Sequence, residues 1–286
     1  MSSLLNALNK IKKDEKLILS LIPSADLTYI NEKRENALLL SIHYGLVNIT
    51  HTILYYSNCG IDQVDYLGNN SLVLALKKHD QDTAKLILAK GIKNINYIDK
   101  HGDSALSCAL RYNYLDIVNM LLDKKEINVN HIDKHGDSIL LIMIDNLYED
   151  LAINIVENFN VNINYVNHHK FDALTLCITK RLKKLAKVLL NKGANTQFIN
   201  NIGDSSLIYA LNNDFDDIAD IIVNNNNDNS VINKQGDTAL FHSILKRNEE
   251  LAKKIFSKGE SNFELINNDN DTTLILALTN DLYSLS

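Results

Sequence analysis

Apolar residues recur along the chain in pairs of helical blocks. In one pair, Leu106 and Leu110 are followed by a short break at residues 112–114 and then by Ile117 and Leu121. A spacing of three to four residues places apolar side chains on one face of an α-helix. The pattern therefore predicts a helix, a turn and a second helix.

This block returns at a fixed period. The octapeptide DKHGDSAL at residues 99–106 is followed by DKHGDSIL at residues 133–140, 34 residues later. Counterparts of the final leucine stand 33 or 34 residues apart at Leu38, Leu72, Leu106, Leu140, Leu174, Leu207, Leu240 and Leu274. Self-similarity at such a period is typical of a repeat solenoid. We number each repeat from its leucine, which is position 0.

Each repeat carries a signal for the start of a helix. Position −2 always holds a side chain that accepts hydrogen bonds from free N–H groups, namely Asn36, Asn70, Ser104, Ser138, Asp172, Ser205, Thr238 and Thr272. Position −4 is glycine in five of the eight repeats, which predicts a turn residue with positive φ. Arg34, Lys170 and Asn270 occupy the other three, where we expect less regular turns.

Two further features describe the predicted packing. Position +3 holds a small residue in every repeat except at Met143. Small residues let adjacent helices approach closely, so Met143 predicts a locally wider contact. The segments NINY, NVNH and NINY, at residues 94–97, 128–131 and 162–165, lead into the Asp or Asn at position −7 of the next repeat. We expect a short hairpin-like finger there, with positions −6 and −5 at its tip.

The repeat resembles the ankyrin repeat, a turn plus two antiparallel helices with a pattern like D-x-x-G-x-T-P-L-H-x-A. The resemblance runs from Asn31 to Ala277, but the T-P-L-H motif is replaced by sequences such as SALS at residues 104–107. It implies an all-α repeat solenoid of helix-turn-helix units with short fingers, in a single curved stack. The loss of the family's Thr and His puts their hydrogen bonds between repeats in doubt. The high Asn, Ile and Lys content is similar to that of divergent arrays from large DNA viruses and intracellular microbes.

The period also predicts the organisation of the chain. Residues 1–30 read as an N-terminal capping helix pair, residues 31–266 as seven ankyrin-type repeats, and residues 267–286 as an incomplete C-terminal repeat or cap. A terminal repeat needs a polar outer face, which the lysine-rich start provides. The last repeat is either a stub or the point at which a longer parent protein continues.

Composition narrows the classes of partner and the compartment. The formal net charge is −6, which argues against non-specific nucleic-acid binding. No apolar run approaches the ~20 residues that cross a bilayer, so we expect no membrane insertion. Three widely separated cysteines do not make a disulfide framework. We therefore expect a cytoplasmic protein, in a host cytosol or nucleus if the viral or microbial likeness holds.

Sequence motifs for chemistry are missing. Neither a nucleotide-binding glycine loop nor a Gly-x-Ser-x-Gly, His-Glu-x-x-His or Cys-x-x-Cys pattern occurs. We therefore predict no enzymatic activity and no cofactor. Cys108 and Cys177 fall on the packed side of first helices, where an inert core role is favoured over reactivity.

Two polar groupings admit a metal or cation site as an alternative. His101, His135 and His169 recur at equivalent positions, but stacked repeats lie ~10 Å apart, too far for two of them to share a zinc ion. Solvated turn residues or partner contacts are the favoured interpretations. Four acidic residues surround the predicted start of a second helix, where they complement its dipole: Asp214, Asp216, Asp217 and Asp220.

The resemblance implies a binding protein. Members of the family commonly contact partner proteins through a concave face of finger tips and exposed first-helix ends, so we expect a scaffold that binds a partner protein, such as a host protein. The alternative is the substrate-recognition part of a larger ubiquitin-ligase adaptor. The basic tips in the middle of the chain favour an acidic or phosphorylated partner. The candidate partner-binding residues are Tyr66, Leu67, Lys100, His101, Arg111, Tyr112, Lys134, His135, His168, His169 and Phe171.

Overall fold

The computed structural model describes residues 3–9, 15–58, 60–225, 231–258 and 265–280. The chain divides into two compact units, an N-terminal unit of Met1–Ile142 and a C-terminal unit of Met143–Ser286. The described residues form seventeen α-helices and a short 3₁₀ helix at Ile22–Ser24. The α-helices are α1 Ser3–Asn9, α2 Glu15–Leu21, α3 Ala37–His43, α4 Val47–Tyr56, α5 Ser71–Lys77, α6 Gln81–Lys90, α7 Ala105–Arg111, α8 Leu115–Leu122, α9 Ile139–Asp145, α10 Glu149–Asn158, α11 Ala173–Lys180, α12 Lys183–Asn191, α13 Ser206–Asn212, α14 Asp216–Asn225, α15 Ala239–Leu245, α16 Glu249–Ser257 and α17 Thr273–Thr279.

The predicted helix starts are confirmed. The first helices of the repeats are the odd-numbered ones from α3 to α17, and each follows the residue at position −2. In all eight repeats, that side chain accepts a hydrogen bond from the backbone N–H three residues later. In Asp172, the bond from the Thr175 N–H is 2.8 Å long. These caps satisfy a donor that the first turn of a helix leaves free.

A regular turn precedes every cap. The N–H at position −7 donates to the carbonyl at position −3, and the N–H at position −4 donates to the carbonyl at position −7. The expectation of less regular turns at Arg34, Lys170 and Asn270 was wrong, because all three keep these bonds and have φ between 60° and 65°. The side chain at position −7 pre-forms the turn, so glycine is not required for the left-handed residue.

In some repeats, position −4 also needs glycine because the next finger lies too close for a Cβ atom. A Cβ atom added to Gly68 would lie 2.8 Å from the backbone nitrogen of Lys100 in the next finger. At Gly236, it would lie 3.0 Å from the Cα atom of Asn267. The fingers on either side of these glycines therefore approach each other at backbone distance.

The core of each unit lies between first and second helices. The anchor leucines from Leu38 to Leu240 are at most 3% exposed, and every residue at position +3, Met143 included, is buried. The helices of a pair are joined by a tight turn whose position +7 is left-handed in all seven complete pairs. Only Gly45 is glycine there, and Leu147 holds φ of 64° with 58% of its surface exposed.

The two chain ends differ. In the N-terminal unit, α1 packs against α3 and α2 against α4, and Leu4, Leu5 and Leu8 are buried. In the C-terminal unit, the last described helix, α17, packs against α15. The division at residues 30 and 266 stays a prediction. Lysines 10, 12 and 13, Cys59 and the asparagines at 226–227 lie outside the described residues.

Candidate functional site

Within each unit, the finger tips are exposed and stand on buried residues. Residues at positions −6 and −5 are exposed in all eight repeats, and the Asp or Asn at position −7 is buried in seven of them. In the finger of residues 98–104, Asp99 Oδ1 accepts hydrogen bonds from the backbone N–H groups of His101 and Asp103, at 2.8 and 3.0 Å. The same side-chain turn fixes six of the other fingers, and in the remaining one the Asn69 N–H donates to Asp65 Oδ1 at 2.7 Å. The tips are therefore held in one backbone conformation.

Neighbouring tips are also joined to each other. In the N-terminal unit, Lys100 Nζ donates to the Tyr66 carbonyl, and Lys134 Nζ lies 3.1 Å from Asp103 Oδ2. In the C-terminal unit, Lys234 Nζ donates to the Asn201 carbonyl at 2.6 Å. The preference for an acidic partner stays a prediction, because Lys134 is paired with a carboxylate whereas Lys100 donates to a neutral carbonyl and keeps its charge.

Arg111 has a similar internal role. Its guanidinium group, on the last residue of α7, contacts the carboxylates of Asp133 and Asp137 in the next finger, and the distance to Asp137 is 3.2 Å. The Asp133 side chain is fully buried, whereas 30% of the Arg111 side chain is exposed. Arg111 therefore fixes the finger that carries Lys134 and His135, while part of its side chain stays exposed.

Tyr112 belongs to an aromatic cluster at the turns between paired helices. Its ring centroid lies 4.8 Å from that of His79, in an edge-to-face arrangement. His79 Nδ1 lies 2.6 Å from the Tyr114 hydroxyl. Tyr112 is 37% exposed. Tyr66 and Leu67 are exposed at a finger tip, at 45% and 37%.

The structure also shows a row of exposed β-branched residues that sequence reasoning missed. Position −8 holds Ile or Val in every repeat, and it pairs as an isolated β-bridge with position −2 in five of them. The exposed members are Ile30, Ile98, Ile132, Ile199, Ile232 and Ile266, at 43–60% of their surface. The register was visible in the sequence, but an extended run such as Ile95 to Ile98 does not reveal which face meets solvent. Ile95 is 4% exposed and Ile98 47%.

Comparison with known proteins identifies this repeat. The family model for ankyrin repeats, in three copies, matches residues 38–133. The repeats within residues 38–133 match the ankyrin family, and the described residues have the fold of an all-α ankyrin-repeat solenoid. An ankyrin repeat domain from Acinetobacter baumannii is 21% identical, with a TM-score of 0.54 over 65% of this chain and 95% of that chain. A chain from the structure of a predatory endopeptidase from Bdellovibrio bacteriovorus in complex with an immunity protein is 25% identical, with a TM-score of 0.50 over 64% of this chain and 94% of that chain. The comparison with curated proteins gives no match.

The finger at residues 166–172 carries three of the predicted site residues. His168 and His169 are exposed at its tip, and Phe171 is half-buried at position −3. The N–H groups of His169 and Phe171 donate to Asn167 Oδ1, each at 3.0 Å. Within the described ranges, no three His, Cys, Asp or Glu side chains are grouped so as to hold a metal ion.

The acidic residues of α14 and the two described cysteines occupy structural positions. Asp216 and Asp217 lie in the first turn of α14, as expected, and Asp217 also pairs with Lys187 at 2.9 Å. Cys108 and Cys177 are both buried. Burial raises the pKa of the Cys108 thiol to about 12 and that of Cys177 well above its usual value. Neither thiol has the character of a nucleophile at neutral pH.

No described helix has the length and apolar content needed to span a bilayer.

Proposed function

We propose that this ankyrin-repeat protein is a non-catalytic scaffold that binds a partner protein through its fingers and the last turns of its first helices. The observation that carries the proposal is the exposed row at position −8. Within the N-terminal unit, Ile98 and Ile132 are 47% and 43% exposed on adjacent fingers, and within the C-terminal unit Ile199, Ile232 and Ile266 are 45–60% exposed on three consecutive fingers. Exposed apolar residues grouped in this way are typical of a surface that another protein covers.

The rigidity of the fingers supports this role. Each finger has its own side-chain turn, and neighbouring fingers are joined by bonds such as that from the Asn268 N–H to the Gln235 carbonyl, at 2.9 Å. A surface that is already ordered loses little conformational entropy when a partner binds. The bodies of the first helices from α3 to α15 are buried, so residues at their ends, such as Tyr44 and Tyr112, add to the surface.

The chemistry of this surface indicates an apolar or aromatic partner segment. The isoleucine row lies beside tips that supply Tyr66, Leu67, His101 and His135, and aromatic side chains are common anchors of protein interfaces. Lys100, Lys134 and Lys234 bond to the neighbouring finger of the same protein. We place the interaction in the cytoplasm, and the likeness to a chain from an endopeptidase complex with an immunity protein supports protein binding.

Site-specific photocrosslinking tests the proposal. A photoreactive residue at position 98 or 132 is expected to link a partner in the source cell, whereas one at position 119, on the exposed side of α8, is not. The double variant Ile98→Ser/Ile132→Ser should then bind the purified partner about tenfold or more weakly. Leu17→Ser, which alters an equally exposed leucine outside the fingers, is the matched control.

Either of two results would contradict the proposal. One is equal crosslinking from positions 98 and 119. The other is an affinity that the double isoleucine variant leaves unchanged while its circular dichroism spectrum matches that of the native protein.

A further inference from the structure

A histidine stands on α15 at a position that is not titratable in most other repeats. Position +2 holds His242 in the repeat of Leu240, whereas its counterparts are four leucines, Cys108, Ile142 and Tyr209. Only 13% of the His242 side chain is exposed. Since leucine fills this position in four repeats, packing alone does not require an imidazole there.

The His242 ring belongs to a polar network that joins three fingers of the C-terminal unit. Its Nε2 atom lies 3.5 Å from Asn233 Nδ2 and 3.7 Å from Asp237 Oδ2, both in the finger of its own repeat. Asn233 Nδ2 also donates to Asp204 Oδ1 of the preceding finger, at 2.9 Å. Asp237 Oδ1 accepts from Asn267 Nδ2 of the following finger, also at 2.9 Å. We call these five residues the His242 network.

The hydrogen bonds of Asn233 determine the role of the ring nitrogen. Asn233 Oδ1 accepts from the backbone N–H groups of Gln235 and Asp237, at 3.0 and 2.9 Å. The Nδ2 donor is therefore the atom that faces His242. Because an amide NH₂ group only donates, His242 Nε2 acts as the acceptor, and the neutral ring carries its proton on Nδ1.

We propose that His242 is a proton-sensitive switch within this network. When Nε2 takes up a proton, two donors face each other, so the bond to Asn233 is lost. The imidazolium is attracted to the Asp237 carboxylate, 3.7 Å away, and pairs with it. The link between α15 and this finger thereby moves from position −7 to position −3. The same finger carries Ile232 of the exposed row.

The charges around the ring keep it neutral near pH 7. Burial lowers the pKa of His242 below its usual value, and the carboxylates of Asp237 and Asp204 offset this effect in part. Lys246, on the same side of the chain, also lowers the pKa and is itself paired with Asp214. Protonation therefore requires a pH below the range in which an exposed histidine titrates, near 6.5.

The charges of the other helices packed against α15 are placed elsewhere. These helices are α13, α16 and α17. No titratable side chain occurs on α17, and α13 carries only Tyr209. On α16, Lys253 pairs with Glu249 and Lys254 with Asp220. The switch therefore depends on the carboxylates of the fingers.

Nuclear magnetic resonance of the ¹⁵N-labelled full chain tests the switch without any partner protein. In a titration from about pH 8 to pH 4.5, His242 should begin as the Nδ1–H tautomer. The side-chain NH₂ signal of Asn233 should then shift with the same midpoint as the ring. In Asp237→Asn, the midpoint of the ring should fall by about one pH unit, because the protonated ring loses its carboxylate. An asparagine already occupies position −3 at Asn69, so this variant suits the turn.

His242→Leu is the matched control, because leucine is the commonest residue at position +2. Its Asn233 signal should stay constant over the same range. The tautomer and the shared midpoint are measured on the native chain, so the test does not depend on the folding of a variant. A ring with its proton on Nε2 at neutral pH, or one that stays neutral until the protein unfolds, would overturn the inference. An Asn233 signal that does not follow the ring would do the same.

Discussion

The two units join their fingers with different chemistry. In the N-terminal unit, the cations Lys77 and Arg111 reach from the last turn of a first helix to the buried carboxylates of Asp99 and Asp133 in the next finger. In the C-terminal unit, amides replace these ion pairs: Asn233 Nδ2 donates to Asp204 Oδ1 of the preceding finger, at 2.9 Å. The bond from Asn267 to Asp237 has the same length.

The difference follows from the two atoms that end the side chain at position −7. One oxygen always accepts backbone N–H groups of its own finger, as in Asp99 and Asn233. The second atom is an oxygen in Asp and an NH₂ group in Asn. A buried acceptor and a buried donor need opposite partners. Asp99 and Asp133 therefore take a cation from the preceding helix, and Asn233 and Asn267 take a carboxylate from the preceding finger.

Replacing Arg111 should cause the largest loss of stability, because it removes an ion pair between α7 and the next finger of the N-terminal unit. Arg111→Ala leaves the buried Asp133 carboxylate without its cation, and we expect a loss of about 2 kcal/mol in the free energy of unfolding by urea. The loss is larger when a fully buried ion pair is broken, but 30% of the Arg111 side chain is exposed. Lys180→Ala removes an exposed ion pair with Asp145, and should cost less than about 0.5 kcal/mol.

A second substitution sharpens the same comparison. Adding Asp133→Asn to Arg111→Ala converts the ionic contact into the amide type, because the new NH₂ group faces Asp103, the counterpart of Asp204. The double variant should recover more than half of the loss. If the double variant is no more stable than Arg111→Ala, an amide at position −7 does not replace the ion pair, and this explanation of the difference between the units is wrong.

The helical framework could be predicted from the sequence because it depends on local patterns. The period located the first helices, and the hydroxyl, amide or carboxyl group at position −2 identified each N-cap from Asn36 to Thr272. These features involve residues within a few positions of each other. Hydrogen bonds of this kind do not depend on the rest of the fold.

The candidate surface was less predictable because it depends on contacts between repeats. Lys100 and Arg111 were identified as exposed cations, but their partners lie 34 and 22 residues away. The exposure of Ile98 was missed because it is set by the neighbouring fingers. The left-handed Leu147 was also unforeseen, since the tight turn around it overrides an unfavourable residue preference.

One added negative charge should weaken the amide contact between fingers of the C-terminal unit. Asn233→Asp replaces a donor by a carboxylate that faces the buried Asp204 carboxylate, and position +5 of that repeat, Asn212, supplies no cation. We expect a loss of about 1.5 kcal/mol in the free energy of unfolding. Asn201→Asp, at an exposed tip, is the control and should be nearly neutral.

Adding a cation at position 212 tests whether the missing positive charge causes this loss of stability. Asn212 occupies the position that Arg111 has in its own repeat, so Asn212→Arg added to Asn233→Asp should return at least half of the lost stability. A double variant that is less stable than Asn233→Asp alone would show that the charge pattern does not transfer between the units.

The smallest expected effect is a difference in acid response. Burial acts to raise the pKa of the Asp99 carboxyl, but the hydrogen bond and charge of Lys77, with backbone donors, bring it below its usual value. A carboxyl with a lowered folded pKa contributes stability above its unfolded pKa, near 4, and loses it as the pH falls through the folded value. The stability difference between the native protein and Lys77→Gln should therefore shrink as the pH falls below about 4.

Asn212→Ala provides the comparison in the C-terminal unit. Asn212 Nδ2 donates to Asp204 at 3.2 Å, and a protonated carboxyl can still accept an amide hydrogen bond through its carbonyl oxygen. The difference between the native protein and Asn212→Ala should thus change less between pH 7 and pH 3. Urea unfolding at both pH values measures both differences. Equal changes would mean that the ion pair of Lys77 adds no more acid sensitivity than a neutral hydrogen bond, and that the two units differ in composition but not in electrostatics.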